Sequence, residues 1–252
     1  HSMKHLDGKR YWLVGASEGL GAALAKEMSA QGAELILSAR NEPKLAAIAE
    51  SLDHKATVLP CDVGSQESVD KALLEIGKID GVVFLAAAYW PMSAQNWNNE
   101  KCMEMVNVNF LGACRVLGPI VEQFTKTNSG HIVITGTIAG VRGLPSSIGY
   151  TASKSGLMTL AECMKIDLQH TNIKLQLINP GFIETKASAR NSFKLRDSMK
   201  PEVAAKKMLK YMSKDGFSYT YPKTIFNQLI RALQFIPSSI HYKFWSSFVK
   251  SR

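Results

Sequence analysis

The sequence predicts a doubly wound α/β domain built on a mostly parallel sheet. Its 252 residues suit a single α/β domain with a substantial core. Short apolar runs of strand length alternate with longer helical patterns, and a glycine-rich turn follows the first run. We expect residues 1–222 to form this domain and residues 223–252 to form an amphipathic, basic C-terminal extension.

The first elements form a strand–helix–strand pattern. Arg10–Val14 has the character of a buried strand, Leu20–Ala30 that of a helix returning across the sheet, and Glu34–Ser38 that of a second strand. A right-handed unit of this kind, with a glycine turn between strand and helix, is one half of a doubly wound sheet. The pattern therefore predicts a Rossmann-type order of strands.

The later strands follow in the same way. Thr57–Cys61 is predicted as the third strand, Gly81–Phe84 as the fourth and Gly130–Ile134 as the fifth. The sixth strand ends at Asn179-Pro-Gly181, and the last lies within Phe217–Pro222. Val106–Gly112 belongs to a long helical pattern.

The turn from Leu13 to Gly21 is suited to binding a phosphate group. Its glycines, Gly15, Gly19 and Gly21, let the backbone approach a pyrophosphate, and the following helix N-terminus offers unpaired N–H groups. The spacing is Gly-x-x-x-Gly-x-Gly, which differs from the Gly-x-Gly-x-x-Gly dinucleotide pattern. We interpret the stretch as a phosphate-binding turn.

Tyr150 and Lys154 lie one helical turn apart on the same face of a predicted helix. A cation within about 4–6 Å lowers the pKa of a phenol from its usual value of about 10. Such a tyrosine can act as a general acid/base at neutral pH. Taken alone, the spacing also occurs by chance on ordinary surface helices.

Together these features resemble the short-chain dehydrogenase/reductase (SDR) family. The resemblance also includes the hydroxyl residue Thr137 and the stretch Asn179–Thr185, and it runs from about Lys9 to Phe217. It implies an oxidoreductase that interconverts a carbonyl and an alcohol by hydride transfer with a nicotinamide cofactor. The catalytic residues implied are Asn109, Thr137, Tyr150 and Lys154.

The resemblance assigns each catalytic residue a role. Thr137 and Tyr150 hydrogen-bond the substrate carbonyl oxygen, Tyr150 donates the proton, and Lys154 lowers the pKa of Tyr150 and holds the nicotinamide ribose. Asn109 holds a water of the proton relay. Asn107, two residues earlier, is the other candidate for this position. The alternative to a relay role is that Asn109 is a buried asparagine bonded to the backbone of its own helix.

The cofactor prediction rests on the ends of the strands. Arg40 follows the second strand, where an acidic residue would bond the ribose 2′-hydroxyl of NAD, and its guanidinium suits the 2′-phosphate of NADP. We therefore expect NADP(H) to be preferred, with NAD(H) as the alternative. A merely exposed arginine would fit the position as well.

Other strand ends supply further cofactor contacts. Asp62 lies near the adenine by resemblance or is a turn acid. The resemblance also implies that Pro180 forms a rigid wall beside the nicotinamide and that Ile183 and Thr185 hold its carboxamide. The cofactor-binding residues implied are Gly15, Ser17, Glu18, Gly19, Leu20, Gly21, Arg40, Asp62, Val63, Ala86, Tyr150, Lys154, Pro180, Gly181, Ile183 and Thr185.

One strand end departs from the family pattern. Phe84-Leu-Ala-Ala87 stands where the family usually has Asn-Asn-Ala-Gly, so two amides are lost and Ala87 adds a methyl near the cofactor. The family also generally has serine at the position of Thr137, and threonine keeps the hydroxyl. A cofactor-binding sensor or scaffold with little turnover is therefore the alternative function.

Charge is distributed unevenly along the chain. Residues 186–252 carry a net charge of +11, whereas residues 1–185 carry −2. Acidic lipid headgroups, anionic substrates or simple solvation of helix faces would each account for this excess. No nucleic-acid-binding motif accompanies it, so we do not expect a nucleic-acid partner.

Composition also bears on redox state, metals and location. The four cysteines are far apart without a Cys-x-x-Cys pair, and the six histidines show no metal-ligand spacing. We expect no disulfide framework and no metal. The N-terminus lacks an apolar run of signal-peptide length, so we expect a cytoplasmic protein.

We expect the C-terminal part of the chain, after Thr185, to determine which substrate and which partner the protein binds. The basic stretch Lys186–Lys200 is a candidate loop over an apolar or lipid-like small-molecule substrate. Residues 223–252 place apolar side chains at helical spacing, interrupted by Pro237 and by lysine and arginine. This segment is too short and polar to span a bilayer. It lies on an anionic membrane surface, or packs on the domain or on another subunit of a homo-oligomer.

Overall fold

A computed structural model describes residues 5–184 and 198–249. Seven parallel strands form one sheet in the order β3-β2-β1-β4-β5-β6-β7, and helices cover both faces, which confirms the doubly wound fold. The strands are β1 Arg10–Val14, β2 Glu34–Ser38, β3 Ala56–Val58, β4 Gly81–Phe84, β5 Gly130–Thr135, β6 Ile173–Pro180 and β7 Ser218–Tyr221.

Several helices of the described residues begin next to a side chain that caps their first turn. Asn41, Ser65, Asn98 and Thr224 each accept a hydrogen bond from a backbone N–H three residues later, which satisfies a donor of the first turn. The helices are α1 Gly19–Ala30, α2 Glu42–Glu50, α3 Gln66–Ile76, α4 Asn99–Val106, α5 Gly112–Thr127, α6 Ile148–Leu168, α7 Pro201–Met212, α8 Ile225–Ala232 and α9 Ser238–Val249.

The strand order creates a crevice at one edge of the sheet. β1 pairs with β2 on one side and with β4 on the other, so the direction of winding reverses between them. Because all strands are parallel, their carboxyl ends lie at the same edge, and ligands of such sheets bind where the winding reverses. The residues following β1, β2, β4, β5 and β6 therefore converge there.

The core has two layers because each strand alternates its side chains between the faces of the sheet. Trp12 and Val14 of β1 belong to the cluster on one face, and Tyr11 and Leu13 belong to the other. All four are buried. Burial on both faces explains why the central strands are nearly continuous apolar runs.

The third strand is shorter than predicted. The sequence predicts Thr57–Cys61, whereas the strand spans Ala56–Val58. Leu59 and Cys61 still donate backbone hydrogen bonds to Leu37 and Ala39 beside them. Pro60 lies between and has no N–H to donate, so the regular ladder ends before it.

A buried polar chain crosses the sheet at the amino ends of the strands. The Tyr11 hydroxyl lies 2.7 Å from His131 Nδ1, and His131 Nε2 lies 2.7 Å from Gln176 Oε1. Since an amide oxygen only accepts, Nε2 carries the proton and Nδ1 accepts from Tyr11. Burial lowers the pKa of His131 to about 4, because the charged ring would lose its hydration.

This histidine should make stability depend on pH. Between an unfolded pKa of about 6.5 and the folded value, only the unfolded chain binds the proton, so the free energy of unfolding falls as pH falls. We expect a loss of up to about 3 kcal/mol between pH 7 and pH 4 from this group. Urea unfolding of the protein and of His131→Asn should show a smaller slope in the variant. His170→Asn, at an exposed histidine, should keep the original slope, and equal slopes in all three proteins would contradict the assignment.

Candidate active site

The glycine turn lies at the carboxyl end of β1, against the end of β4. Gly15 has a φ of +101°, and a Cβ built on it would lie 2.5 Å from the backbone nitrogen of Ala86. A Cβ on Gly21 would lie 2.0 Å from the Gly15 carbonyl oxygen. Only glycine fits either position, so the turn forms a close backbone cradle at the start of α1.

The first turn of α1 keeps its N–H groups available. Glu18 precedes the helix in an extended conformation and makes no side-chain capping bond. Its carboxylate instead pairs with Lys44 at 3.1 Å, at the surface. The unpaired N–H groups and the positive end of the helix dipole therefore face the cradle and suit an anion.

Arg40 lies beside this turn. The Ser38 carbonyl at the end of β2 accepts from Gly15 N at 2.8 Å and from Ala16 N at 3.1 Å, which fixes the two loops together. Arg40 is exposed, and within the described residues its guanidinium has no hydrogen bond or ion pair. The Arg40 guanidinium is thus, among those residues, an unpaired cation, two residues along the chain from the Ser38 carbonyl that bonds the glycine turn.

The loop after β3 is locked to the helix that follows β4. Asp62 Oδ1 accepts from Gly64 N at 2.9 Å, so the carboxylate stabilises its own turn, and its place near the adenine stays a prediction. Arg115 donates to the Val63 carbonyl at 2.8 Å, and Asn107 Nδ2 donates to the Gly64 carbonyl at 3.0 Å. Asn107 is therefore bonded to this loop.

The departure at the end of β4 leaves the cradle intact. Phe84 is fully buried in the core, and Leu85 N donates to the Val14 carbonyl at 2.7 Å, which extends the strand pairing. Ala86 forms the close approach to Gly15, and Ala87 is exposed. Apolar residues thus take the place of the amides by packing into the core.

Thr137 and Tyr150 meet at the end of β5. The Thr137 oxygen accepts from Ala139 N at 3.2 Å, which leaves its proton free, and the Thr137 hydroxyl is close enough to the Tyr150 phenol to lower the pKa of that phenol. Thr151 and Ser155 of α6 donate to the carbonyls of Ala139 and Gly140. These bonds hold the start of α6 against the turn that carries Thr137.

Lys154 follows Tyr150 by one turn of α6 and is buried, with 3% of its surface exposed. Its ammonium donates to the Thr135 carbonyl at 3.2 Å. Burial lowers the pKa of Lys154 to about 8. The sequence offers no signal for the Thr135 contact, because the acceptor is a backbone atom.

The effect on Tyr150 corrects the sequence-based expectation. Lys154 was expected to lower the pKa of the phenol, but burial raises the pKa of Tyr150, the Thr137 hydrogen bond opposes that rise, and Tyr89 adds to it. The reason is that the ammonium is directed at the Thr135 carbonyl while the phenol lies among apolar side chains. Tyr150 is thereby kept in its protonated form, which can donate a proton.

Asn109 is fully buried in a π-turn that spans Asn107–Leu111, between α4 and α5. Its amide makes three hydrogen bonds: Oδ1 accepts from Ala88 N at 2.7 Å, and Nδ2 donates to Ala88 O at 2.9 Å and to Ser153 Oγ at 3.0 Å. Both donor hydrogens are used, and neither bond is to its own helix. The side chain fixes the loop after β4, and its relay role stays a prediction.

Tyr89 is a site residue that the sequence does not reveal. Its ring packs edge-on against Tyr150, with centroids 4.8 Å apart. Asn109 holds the preceding residue, Ala88, and Ser153 Oγ in turn donates to the Tyr150 carbonyl at 3.0 Å. A tyrosine in a loop carries no periodic signal, so only the three-dimensional contact identifies it.

The end of β6 closes the far side of the crevice. Gly181 N donates to Tyr221 O at 2.6 Å, and a Cβ on Gly181 would lie 2.8 Å from Asn227 Nδ2 of α8. Pro180 is buried, and Ile183 pairs with Met199 in an isolated bridge. Thr185 and the basic residues Lys186, Arg190, Lys194 and Arg196 lie outside the described residues.

Two further features concern the part of the chain that the structure describes. No group of three histidine, cysteine, aspartate or glutamate side chains there is placed to hold a metal ion. No helix among residues 5–184 and 198–249 is long and apolar enough to cross a membrane.

Comparisons with known proteins agree with this geometry. Residues 9–195 match the family model of the short chain dehydrogenases. An uncharacterized oxidoreductase of Staphylococcus epidermidis is 30% identical over 194 residues, which cover 75% of this chain and 84% of the relative. An uncharacterized oxidoreductase of Mycobacterium tuberculosis is 31% identical over 193 residues, with coverage of 71% and 75%.

Solved structures share the fold. An alcohol dehydrogenase from Thermococcus sibiricus, complexed with 5-hydroxy-NADP, superposes with a TM-score of 0.77 at 23% identity over 84% of this chain and 95% of that one. A short-chain dehydrogenase from Streptomyces avermitilis gives a TM-score of 0.81 at 18% identity over 96% and 98%. The match to the family model and the identity to the relatives show that the chain belongs to the short-chain dehydrogenase family of NAD(P)-dependent oxidoreductases.

Proposed function

We propose that this protein is an NADPH-preferring oxidoreductase that interconverts a carbonyl and an alcohol, with Tyr150 as its general acid/base. The observation that carries the proposal is that the Thr137 hydroxyl lies close enough to the Tyr150 phenol to lower the pKa of that phenol, at the sheet edge that also holds the glycine cradle. Two neighbouring hydroxyls, one after β5 and one on α6, can both donate to a carbonyl oxygen.

The residues of the chain divide the chemistry among them. The cofactor, when bound, supplies the hydride. Thr137 and Tyr150 orient the carbonyl and polarise it, and the Tyr150 hydroxyl gives up its proton as negative charge develops on the oxygen. Lys154, one turn away, donates to the Thr135 carbonyl and would hold the nicotinamide ribose, and the Asn109 bonds keep the facing loop in place.

The NADPH preference rests on Arg40. The cradle suits a pyrophosphate because the start of α1 offers unpaired N–H groups there, and Arg40 adds a free, exposed guanidinium beside it. Structures with the same fold hold 5-hydroxy-NADP in one case and NADH in another, so the fold alone does not choose. Arg40 stands just after the end of β2, where sheets that bind NAD carry an acidic residue. An arginine at this position favours binding of the 2′-phosphate of NADPH.

An apolar substrate suits the surroundings of Tyr150. The phenol belongs to a small cluster with Met92, Cys102 and Met105, and Tyr89 packs on its ring. A methionine-rich wall adapts to the shape of an apolar molecule. Lipid-like ketones, aldehydes and alcohols are therefore the substrate class that we propose.

The test is consumption of NADPH with a panel of ketones and aldehydes, and formation of NADPH with long-chain alcohols. Turnover that rises with the apolar chain length of the substrate would support the proposal. Binding of NADPH without turnover on any member would favour the sensor or scaffold instead.

The C-terminal helices carry a surface that we propose docks on an anionic membrane. Ile225, Leu229, Phe235 and Phe248 are 80, 62, 82 and 67% exposed, respectively. Residues 223–252 contain five lysines and arginines and no acidic residue. Exposed apolar and aromatic side chains among cations are typical of interfacial helices.

Vesicle pelleting tests this surface. Vesicles with anionic lipid should bind the protein, and neutral vesicles should bind it weakly. Phe235→Ser should weaken binding by roughly tenfold, because a phenylalanine partly buried in the bilayer interface contributes about 1.4 kcal/mol or more. Leu74→Ser, at a position of α3 that is 87% exposed, is the matched control. Equal binding by both variants would contradict the proposal, and an altered oligomeric state of Phe235→Ser would assign the surface to a homo-oligomer contact.

A further inference from the structure

The loop of residues 62–64, here called the β3 loop, lies beside the segment that carries Arg40. Cys61 N donates to the Ala39 carbonyl at 3.0 Å, so the two segments run side by side at the carboxyl edge of the sheet. The β3 loop follows Cys61 directly, as Arg40 follows Ala39. A cofactor whose 2′-phosphate meets Arg40 would therefore place its adenosine half against the β3 loop.

The β3 loop is held by side chains of α5 and of the π-turn that precedes it. Arg115 Nη1, on α5, donates to the Val63 carbonyl at 2.8 Å, and it lies at a longer 3.4 Å from the Asn107 carbonyl. Asn107 Nδ2 donates to the Gly64 carbonyl at 3.0 Å. Two successive carbonyls of the loop are thus bonded by side chains 52 and 43 residues away in the sequence.

The Val63 side chain packs against the beginning of α5. A Cβ on Gly112 would lie 2.8 Å from Val63 Cγ2 and 3.3 Å from the Val63 carbonyl oxygen. Val63 is buried in the core cluster that also contains Ala113 and Val116 of α5. Packing therefore sets how closely the loop approaches α5, and the Arg115 bond sets the direction of the Val63 carbonyl.

The other hydrogen bonds of the β3 loop are local. Asp62 N donates to Ser68 Oγ at 2.8 Å, Ser65 N donates to the Asp62 carbonyl at 3.0 Å, and Gly64 N donates to Asp62 Oδ1 at 2.9 Å. These bonds shape the loop but do not set its position against α5. That position depends on the contacts with α5 and the π-turn, among which the Arg115 guanidinium supplies the charged donor.

The reaction end of the crevice is held by a different residue of the same π-turn. Asn109 donates to the Ala88 carbonyl and to Ser153 Oγ, which join it to the loop after β4 and to α6. Neither bond involves Arg115. A change at Arg115 should therefore affect the adenosine end and leave the reaction end as it is.

We propose that Arg115 is a positioning residue for the adenosine half of the cofactor. By holding the Val63 carbonyl, its guanidinium keeps the β3 loop in the shape that receives the adenine and its ribose. A guanidinium suits this task because it is permanently charged and presents several N–H donors in one plane. A preformed loop loses less conformational freedom when the cofactor binds. The inference rests on the proposed cofactor site, in which Arg40 meets the 2′-phosphate.

Calorimetric titration with the two halves of the cofactor tests the proposal. Adenosine 2′,5′-bisphosphate is the adenosine half of NADPH, and reduced nicotinamide mononucleotide is the other half. Arg115→Met should weaken binding of NADPH and of the bisphosphate about tenfold, which corresponds to about 1.4 kcal/mol, and should leave binding of the mononucleotide unchanged. Arg115→Lys should restore most of the affinity, because an ammonium can still donate to the Val63 carbonyl.

Arg10→Met is the matched control. Arg10 is half-buried like Arg115, and its guanidinium also donates to backbone carbonyls, those of Ile76 and Lys78, at the opposite edge of the sheet. Its replacement should lower the thermal unfolding temperature and leave the affinity for all three ligands unchanged. Circular dichroism checks that each variant is folded.

Several results would overturn the proposal. These are wild-type affinity of Arg115→Met for the bisphosphate, an equal loss of affinity for the mononucleotide, or the same losses in Arg10→Met. The titrations need no turnover, so a wild-type protein that binds NADPH without consuming it would count only against the proposed reaction. A wild-type protein that binds NADH and not NADPH would count only against the role of Arg40. Adenosine 5′-monophosphate then replaces the bisphosphate in the same comparison.

Discussion

Replacing Tyr150 with phenylalanine should lower kcat by roughly 10²- to 10⁴-fold, because the variant keeps the ring and loses the proton donor. Thr137 would still reach the carbonyl oxygen, but its hydroxyl is a much weaker acid. The edge contact with Tyr89 involves the ring and should persist. The measurement is NADPH consumption with the best ketone or aldehyde of the panel, together with the affinity for NADPH, which should change little.

Tyr242→Phe is the matched control for this variant. Tyr242 is 68% exposed on α9 and is 92 residues from Tyr150 in the sequence. Removing its hydroxyl should leave kcat within about twofold of the wild-type value. Thermal unfolding should show that both variants are folded. Near-normal turnover by Tyr150→Phe would reject the proposed mechanism, whatever the cofactor affinity.

Changing Arg40 to glutamate should reverse the choice of cofactor. Loss of a charge-assisted contact to the 2′-phosphate is worth about 1.5–3 kcal/mol, and a carboxylate there also repels the phosphate. The ratio of kcat/KM for NADPH to that for NADH should therefore fall by about 100-fold. A carboxylate at this position can also bond the ribose hydroxyls of NADH, so NADH activity should be kept or rise.

A charge change far from the crevice controls for net charge. Arg231→Glu, at an exposed position of α8, alters the total charge equally and should leave the cofactor ratio unchanged. If Arg40→Glu also leaves the ratio unchanged, another residue selects the cofactor. Lys44, now paired with Glu18 beside the glycine turn, would be the next to test.

Much of the fold could be predicted from local patterns. β1, β2 and β4 span the residues that the sequence predicts, because buried parallel strands are short apolar runs bounded by turns. The third strand was predicted too long, since a run of strand-forming residues does not show that Pro60 interrupts the ladder. The glycine cradle was also predictable, because its residues are neighbours in the chain.

The choice between two asparagines needed the tertiary structure. Asn107 and Asn109 lie two residues apart in a helical pattern, and sequence leaves their roles open. The π-turn directs Asn107 to the Gly64 carbonyl and Asn109 to Ala88. Those partners are 43 and 21 residues away, respectively, so no local spacing specifies them.

The sequence by itself determined the sheet, the glycine cradle and the placement of Tyr150 and Lys154 one turn apart, because backbone periodicity sets which side chains share a face. Only the tertiary structure decided that Lys154 bonds the Thr135 carbonyl and that burial raises the pKa of Tyr150. Only the tertiary structure joins His241 of α9 to the Gly143 carbonyl, across 98 residues. Burial and long-range contacts are set by how the elements pack together, and local spacing carries no record of that packing.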